Sequence, residues 1–190
     1  MAVLDQQRLY SAEELWELSH NPEYADLRLE LVEGELVVMP PSTGIHGGSA
    51  STLNVFLGVF VLQHKIGYLT TAETGYVLYK NPSGRDTVYA PDIGFVLAER
   101  LPDGLPDEYI PFAPDLAVEV VSKNDSAEEV LRKVNNYLKY GTQLVWVVYP
   151  RLQQIVVHTQ DGARTLSRDD TLDGGAVLPG FSLTLDEFFK

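Results

Sequence analysis

Ala113-Pro114-Asp115-Leu116-Ala117-Val118-Glu119-Val120-Val121-Ser122 is the stretch that decides the fold. Its apolar, β-branched run reads as a buried strand. Pro114 suits the first residues of such a strand, and Asp115 reads as a structural residue at its start. Glu119 is different, because a carboxylate inside an apolar strand needs a cationic partner or a metal. A salt bridge to Lys133 or Lys123 satisfies it as well as a metal does. A second run, Pro91-Asp92-Ile93-Gly94-Phe95-Val96-Leu97, has the same character and opens on an acid. Pro-Asp is also an ordinary turn pair, so Asp92 has a plain reading as the cap of a strand entry. Two acids on neighbouring strands form a hard-oxygen site suited to Mg²⁺ or Mn²⁺.

Composition sets the bounds. A chain of 190 residues is long enough for one substantial core. It has no cysteine, which excludes disulfides and thiolate zinc sites. Met1-Ala2-Val3-Leu4-Asp5-Gln6-Gln7 lacks the charged-then-apolar layout of a leader. The longest apolar stretch, around 55–62, is expected to be too short to cross a bilayer, and a soluble cytoplasmic protein with no membrane partner is the expectation. Lys and Arg number 14 against 27 Asp and Glu, a net charge of −13. Phosphate neutralisation drives nucleic-acid binding, so this balance argues against a DNA partner unless metal ions or a local basic patch dominate a cleft.

Outward from the two acidic strands, the chain reads as one α/β domain. Ser11-Ala12-Glu13-Glu14 opens a short helix. Residues 27–39 form a hairpin with Glu33-Gly34 at its turn. Leu53, Phe56, Leu57, Phe60 and Val61 recur at helical spacing within 46–64, with Gly67 and Tyr68 ending that helix. Residues 70–79 alternate as a strand, Asn81-Pro82-Ser83-Gly84 turns, and 101–111 is a polar loop. A helix begins at Asn124-Asp125-Ser126, with Glu128 in capping-box position to Asp125, and ends at Gly141. Leu144-Val145-Trp146-Val147-Val148-Tyr149 is a strand covered on both faces. Gln154–Thr159 and the Asp173-Gly174-Gly175 stretch suggest a closing hairpin before a short terminal helix. Lys133 stands at the margin of the face formed by Val130, Val134, Tyr137 and Leu138. Its stem is buried there and its ammonium is free to extend toward the sheet.

An ordered set of segments carries a resemblance. Leu29-Glu30-Leu31-Val32-Glu33-Gly34-Glu35-Leu36 comes first, then the stretch from Pro41-Ser42 to His46, then Ala90-Pro91-Asp92. The 113–122 strand follows, then Lys133 with Tyr137, Val145-Trp146-Val147-Val148, and Leu178-Pro179-Gly180-Phe181. The set resembles the Uma-type family of restriction-endonuclease-like proteins, in the PD-(D/E)xK superfamily, over nearly the whole chain. The resemblance implies a single domain over 1–190, with a central mixed β-sheet flanked by helices, an N-terminal helix and hairpin, and a C-terminal hairpin. It makes Asp92 the motif aspartate and Glu119 the second acid. The usual motif lysine, two residues after that acid, is replaced by Val121, and the family pattern offers Lys133 instead. Glu30 is implied as a further metal ligand, and His46 and Tyr137 as cleft residues. Edge strands of related enzymes pair between subunits, so the resemblance also implies a homodimer.

Three functions follow as expectations. The first is a Mg²⁺- or Mn²⁺-dependent endonuclease cutting DNA, with Asp92 and Glu119 on the metal and Lys133 assisting the attacking water. The second is a binding protein that keeps the fold without cleavage. The third is a metal-dependent hydrolase of smaller phosphate esters, which the acidic charge suits better than duplex DNA.

Overall fold

The computed structural model describes residues 8–24 and 26–190, so the N-terminal stretch read for a leader lies outside the described residues. In chain order the elements begin α1 (Ala12–Ser19), β1 (Arg28–Val32), β2 (Glu35–Met39), α2 (Gly44–His64), β3 (Gly67–Thr71) and β4 (Tyr76–Tyr79). They continue with β5 (Thr87–Tyr89), β6 (Ile93–Leu97), a 3₁₀ turn (Ala98–Arg100), β7 (Leu116–Val120), α3 (Ala127–Lys139) and β8 (Leu144–Tyr149). The chain closes with β9 (Gln154–Thr159), β10 (Gly162–Leu166), β11 (Thr171–Gly174), β12 (Leu178–Thr184) and α4 (Leu185–Phe188). These elements cluster into two compact units. One is drawn from the residues up to Pro41, Glu73–Ala90 and Pro106–Ala113, and the other from Ser42–Ala72, Pro91–Leu105 and Pro114–Lys190.

The first unit is a four-stranded sheet ordered β2-β1-β5-β4, with α1 beside it. Ser11 caps α1 in a capping box. Its hydroxyl accepts the Glu14 N–H at 3.2 Å, and the Glu14 carboxylate accepts the Ser11 N–H at 2.9 Å. The β1–β2 turn places Glu33 at φ +52° and Gly34 at φ +86°, the left-handed pair that a two-residue hairpin of correct twist needs. Leu15, Leu31, Leu36 and Val88 fill the core. Asp86 is 3% exposed and has both oxygens satisfied, Oδ2 by the Ala12 N–H at 2.8 Å and Oδ1 by the Asn81 N–H at 2.7 Å. This buried acid therefore joins the start of α1 to the 81–84 turn.

The second unit holds a six-stranded sheet ordered β10-β9-β8-β7-β6-β3, with the β11–β12 hairpin and α2, α3 and α4. β7 and β8 run parallel and are joined through α3, as a crossover requires, while the other neighbours are antiparallel. Leu116, Val118 and Val120 alternate onto a core shared with Trp146, Val148, Phe95 and the α2 residues Leu53, Leu57 and Val61. Ala117 and Glu119, between them, face the other way.

Several elements differ from the sequence expectation. The 70–79 run is two strands in two units, because Glu73 adopts φ +81° and breaks it. β5 is an additional strand. Lys65, at φ +53°, caps α2 instead of Gly67, and Gly67 opens β3. The cap of α3 is Ser126 with Glu129, one residue later than the Asp125–Glu128 pair read from sequence. Asp125 instead accepts the Ser122 N–H at 2.7 Å. The closing hairpin is two hairpins, β9–β10 and β11–β12. Helix α2 also corrects the expected short apolar stretch. At 21 residues it is long and apolar enough to cross a membrane by length and composition, although its Leu53, Leu57 and Val61 are packed in the core.

Gly67 is required by packing, since a methyl there would overlap the Val96 carbonyl oxygen and lie 2.7 Å from the Phe95 ring. Replacement Gly67→Ala is expected to lower stability by about 2–3 kcal/mol in urea unfolding.

Candidate metal-binding carboxylate site

The antiparallel register of β6 and β7 builds the site. Ile93 lies opposite Val118, so Asp92, one residue before β6, falls opposite Glu119. Ile93 and Val118 both point into the core. Alternation therefore sends Asp92 and Glu119 together to the other face. Side chains directly opposed across antiparallel strands have Cβ atoms about 5 Å apart, within reach of a single cation.

Each carboxylate is held by named donors. Asp92 is 6% exposed. The Val120 N–H donates to its Oδ2 at 2.8 Å, and His46 Nε2 lies 3.1 Å from the same oxygen. His46 gets there from the first turn of α2, where Thr43 caps the helix by accepting the His46 N–H. Asp92 Oδ1 has no hydrogen bond among the described residues. Glu119 Oε1 accepts from the Tyr137 hydroxyl at 2.8 Å and from Lys133 Nζ at 3.2 Å, with Oε2 3.4 Å from the same ammonium. Lys133 and Tyr137 are four residues apart on α3 and so share one helix face. The ammonium therefore reaches Glu119 from a helix, while Val121 lies one residue past the end of β7.

Two other buried acids separate structure from function. Asp115 is 1% exposed and saturated. Leu97 N–H donates to its Oδ2 at 2.9 Å, while Arg100 at 2.8 Å and Gln143 at 3.2 Å hold Oδ1. Asp115 is the structural residue its place at the strand start suggested, and Asp86 in the first unit is saturated in the same way. Asp92 alone of these three keeps one oxygen without a hydrogen bond among the described residues. Glu30 lies in the first unit, on β1 opposite Val37, 3% exposed, with Oε1 accepting the Ala90 N–H at 3.0 Å. It lines a cavity of about 580 Å³ together with Trp16, Arg28 and Tyr109.

No group of three or more His, Asp or Glu is placed as a ready cation cage among the described residues. The donor set of Asp92 and Glu119 nevertheless fits Mg²⁺ or Mn²⁺. Such ions bind through one or two carboxylates, the remaining positions being filled by water and substrate phosphate. The sequence singled out Asp92, Glu119, Lys133, Tyr137 and His46, and the fold places all five in the second unit, His46 on Asp92 and Lys133 and Tyr137 on Glu119. What it did not show is the Val120 N–H on Asp92 or the direct contact between His46 and Asp92. Both arise from long-range pairing that leaves no local signal.

The second unit thus carries an opposed Asp–Glu pair on a mixed sheet, with a lysine on Glu119. The chain belongs to the Uma2 family, described as "Putative restriction endonuclease", whose profile matches residues 12–186. Its structure is similar to that of a protein from Anabaena variabilis, described as a "putative nuclease belonging to DUF820". The TM-score is 0.79 at 22% identity, covering 94% of this chain and 97% of that one. This likeness establishes the fold, a central mixed sheet with helices, an N-terminal helix and sheet, and a C-terminal hairpin. No curated protein matches the chain.

The two kinds of acid respond differently to substitution. Asp115→Ala removes the acceptor of the Leu97 N–H and of Gln143 and is expected to cost about 1–3 kcal/mol in urea unfolding. Tyr137→Phe removes one donor to Glu119 at nearly constant volume, for about 1–2 kcal/mol.

Proposed function

We propose that the protein is a Mg²⁺- or Mn²⁺-dependent endonuclease that hydrolyses phosphodiester bonds in DNA. The observation that carries this reading is the opposition of Asp92 and Glu119, with Lys133 Nζ 3.2 Å from Glu119. A divalent ion bound there would polarise a phosphoryl oxygen and acidify a water. The chain's own residues do the positioning. Val120 N–H and His46 hold Asp92 Oδ2, which leaves Oδ1 as the oxygen to face a cation. Tyr137 and Lys133 fix the Glu119 carboxylate. The Lys133 ammonium also offers hydrogen-bond donors to an attacking water or to the charge that develops on the phosphoryl group. The family resemblance also implies a role for Glu30, a residue of the first unit. Its acid type suits a further ligand, and its contribution is read by Glu30→Gln.

Migration of the lysine from strand to helix is consistent with function. What the chemistry needs is an ammonium beside the second acid, and α3 supplies one. A cytoplasmic enzyme would meet such polynucleotide substrates directly. A hydrolase of smaller phosphate esters is the second reading, favoured by the net charge of −13. A small anion can be neutralised by the metal alone, whereas a duplex needs a basic track.

Cleavage of plasmid DNA is expected only with Mg²⁺ or Mn²⁺ present. Asp92→Ala is expected to lower it at least about 1,000-fold and Lys133→Ala about 100-fold, with the circular-dichroism spectrum of the folded chain retained. Undiminished cleavage by Asp92→Ala would overturn the assignment. Hydrolysis of nucleotides without cleavage of DNA would select the second reading.

A further inference from the structure

The cavity of about 580 Å³ belongs to the first unit alone, since its lining comes from residues 16–39, 73–90 and 108–109. Its volume is that of a site for a small organic molecule. The walls are aromatic and held in place. Trp16 meets Tyr109 edge to face with ring centroids 4.9 Å apart, and the His20 ring lies 4.0 Å from that of Trp16. The Tyr109 hydroxyl donates to Ser19 Oγ at 3.2 Å. Along its ring Tyr109 is seated on Gly75, where a Cβ would stand 2.4 Å from it. Leu27, Leu29 and Met39 add apolar surface.

Charge in the cavity is one-sided. Asp26, Glu30, Glu73 and Glu108 line it against Arg28. Asp26, Glu73 and Glu108 are exposed and mark the mouth, whereas Glu30 is buried and marks the floor. Glu30 takes the Ala90 N–H on Oε1 at 3.0 Å, and its Oε2, also buried, has no hydrogen bond among the described residues. A donor that enters the cavity would therefore gain a charge-assisted hydrogen bond at its floor.

We propose that this cavity binds a linear aliphatic polyamine. One ammonium donates to Glu30 at the floor, a second is held among the acids of the mouth, and the methylenes between them lie along Trp16 and Leu29. The lining selects this chemistry over others. A nucleotide would bring its phosphate among four carboxylates, where like charges repel. A bare metal ion would find no group of three His, Asp or Glu placed to hold it among the described residues. A neutral apolar molecule would cover the Glu30 oxygen without giving it a hydrogen bond. An ammonium, in contrast, is favoured both by the carboxylates and by the aromatic faces. Acids at both ends of the cavity ask for a cation at each end, which a polyamine has and a simple amine lacks. The net charge of −13 raises the concentration of multivalent cations near the chain. This role for the first unit does not depend on the cleavage reading.

Calorimetric titration of the whole chain with spermidine, at about 0.15 M salt to screen diffuse attraction, tests the proposal. One spermidine per chain is expected. Glu30→Gln and Trp16→Ala are each expected to weaken it at least about tenfold. Glu73→Gln/Glu108→Gln, at exposed positions and with melting temperature retained, weakens it at least about threefold. Asp169→Asn/Glu187→Gln removes the same charge from exposed positions of the second unit and leaves the affinity unchanged. Butylamine, with a single ammonium, binds at least about tenfold more weakly than spermidine. The proposal is overturned if the wild-type chain takes up no spermidine at millimolar concentration, or if butylamine binds as tightly. It is also overturned if the two charge-removing double variants lose affinity equally, which would mark attraction to net charge alone. Undiminished binding by folded Trp16→Ala would sink it too. Saturable uptake of adenosine monophosphate without uptake of spermidine would assign the cavity to a nucleotide and equally overturn it.

Discussion

The pairing of β6 with β7 at Ile93 and Val118 is the constraint on which the rest of the second unit depends. Side chains alternate along a strand, so the register settles at once which residues enter the core and which face α3. A slip of one residue would turn Glu119 into the space now filled by Val118 and expose the apolar residues in its place. A carboxylate among Phe95, Trp146 and Leu57 would be without a partner and strongly disfavoured. Core packing and site geometry therefore have a single origin, and neither can be altered by a strand shift without losing the other.

Hydrogen bonding separates the three buried aspartates where burial does not. Asp86, Asp92 and Asp115 are all less than one-tenth exposed. Asp86 ties a helix start to a turn, and Asp115 ties β7 to the 3₁₀ turn through Arg100, each with both oxygens occupied. Asp92 is held through one oxygen only, by Val120 N–H and His46. Glu119 is gripped from α3 rather than from its own strand. An ammonium on a helix serves the carboxylate as one on the strand would, because electrostatic stabilisation depends on position and not on chain order.

The acidic balance of the chain acquires a spatial meaning from α2. Charge is spread over the loops, the short helices and the edges, while α2 carries none along its 21 residues. One face of it completes the core of the second unit, and its first turn delivers His46 to Asp92. The remaining face is apolar and exposed, which on a chain of such charge marks a surface apart from the rest.

By itself the sequence determined the features that have local causes. The Ser11–Glu14 capping box, the left-handed Glu33-Gly34 turn, the 81–84 turn and the apolar run of β8 follow from neighbouring residues, and the structure contains each of them. Glu119 in an apolar strand and the four-residue spacing of Lys133 and Tyr137 are also readable along the chain, and the structure joins these three by hydrogen bonds. Tertiary structure alone decided that the 70–79 run divides between two units, that the C-terminal strands make two hairpins, and that Asp92 receives the Val120 N–H. It also decided that one cation-bearing helix, and not Lys123, satisfies Glu119. Each of these rests on strand register and on contacts between residues distant in sequence, whose energies come from burial and pairing and leave no trace in local composition.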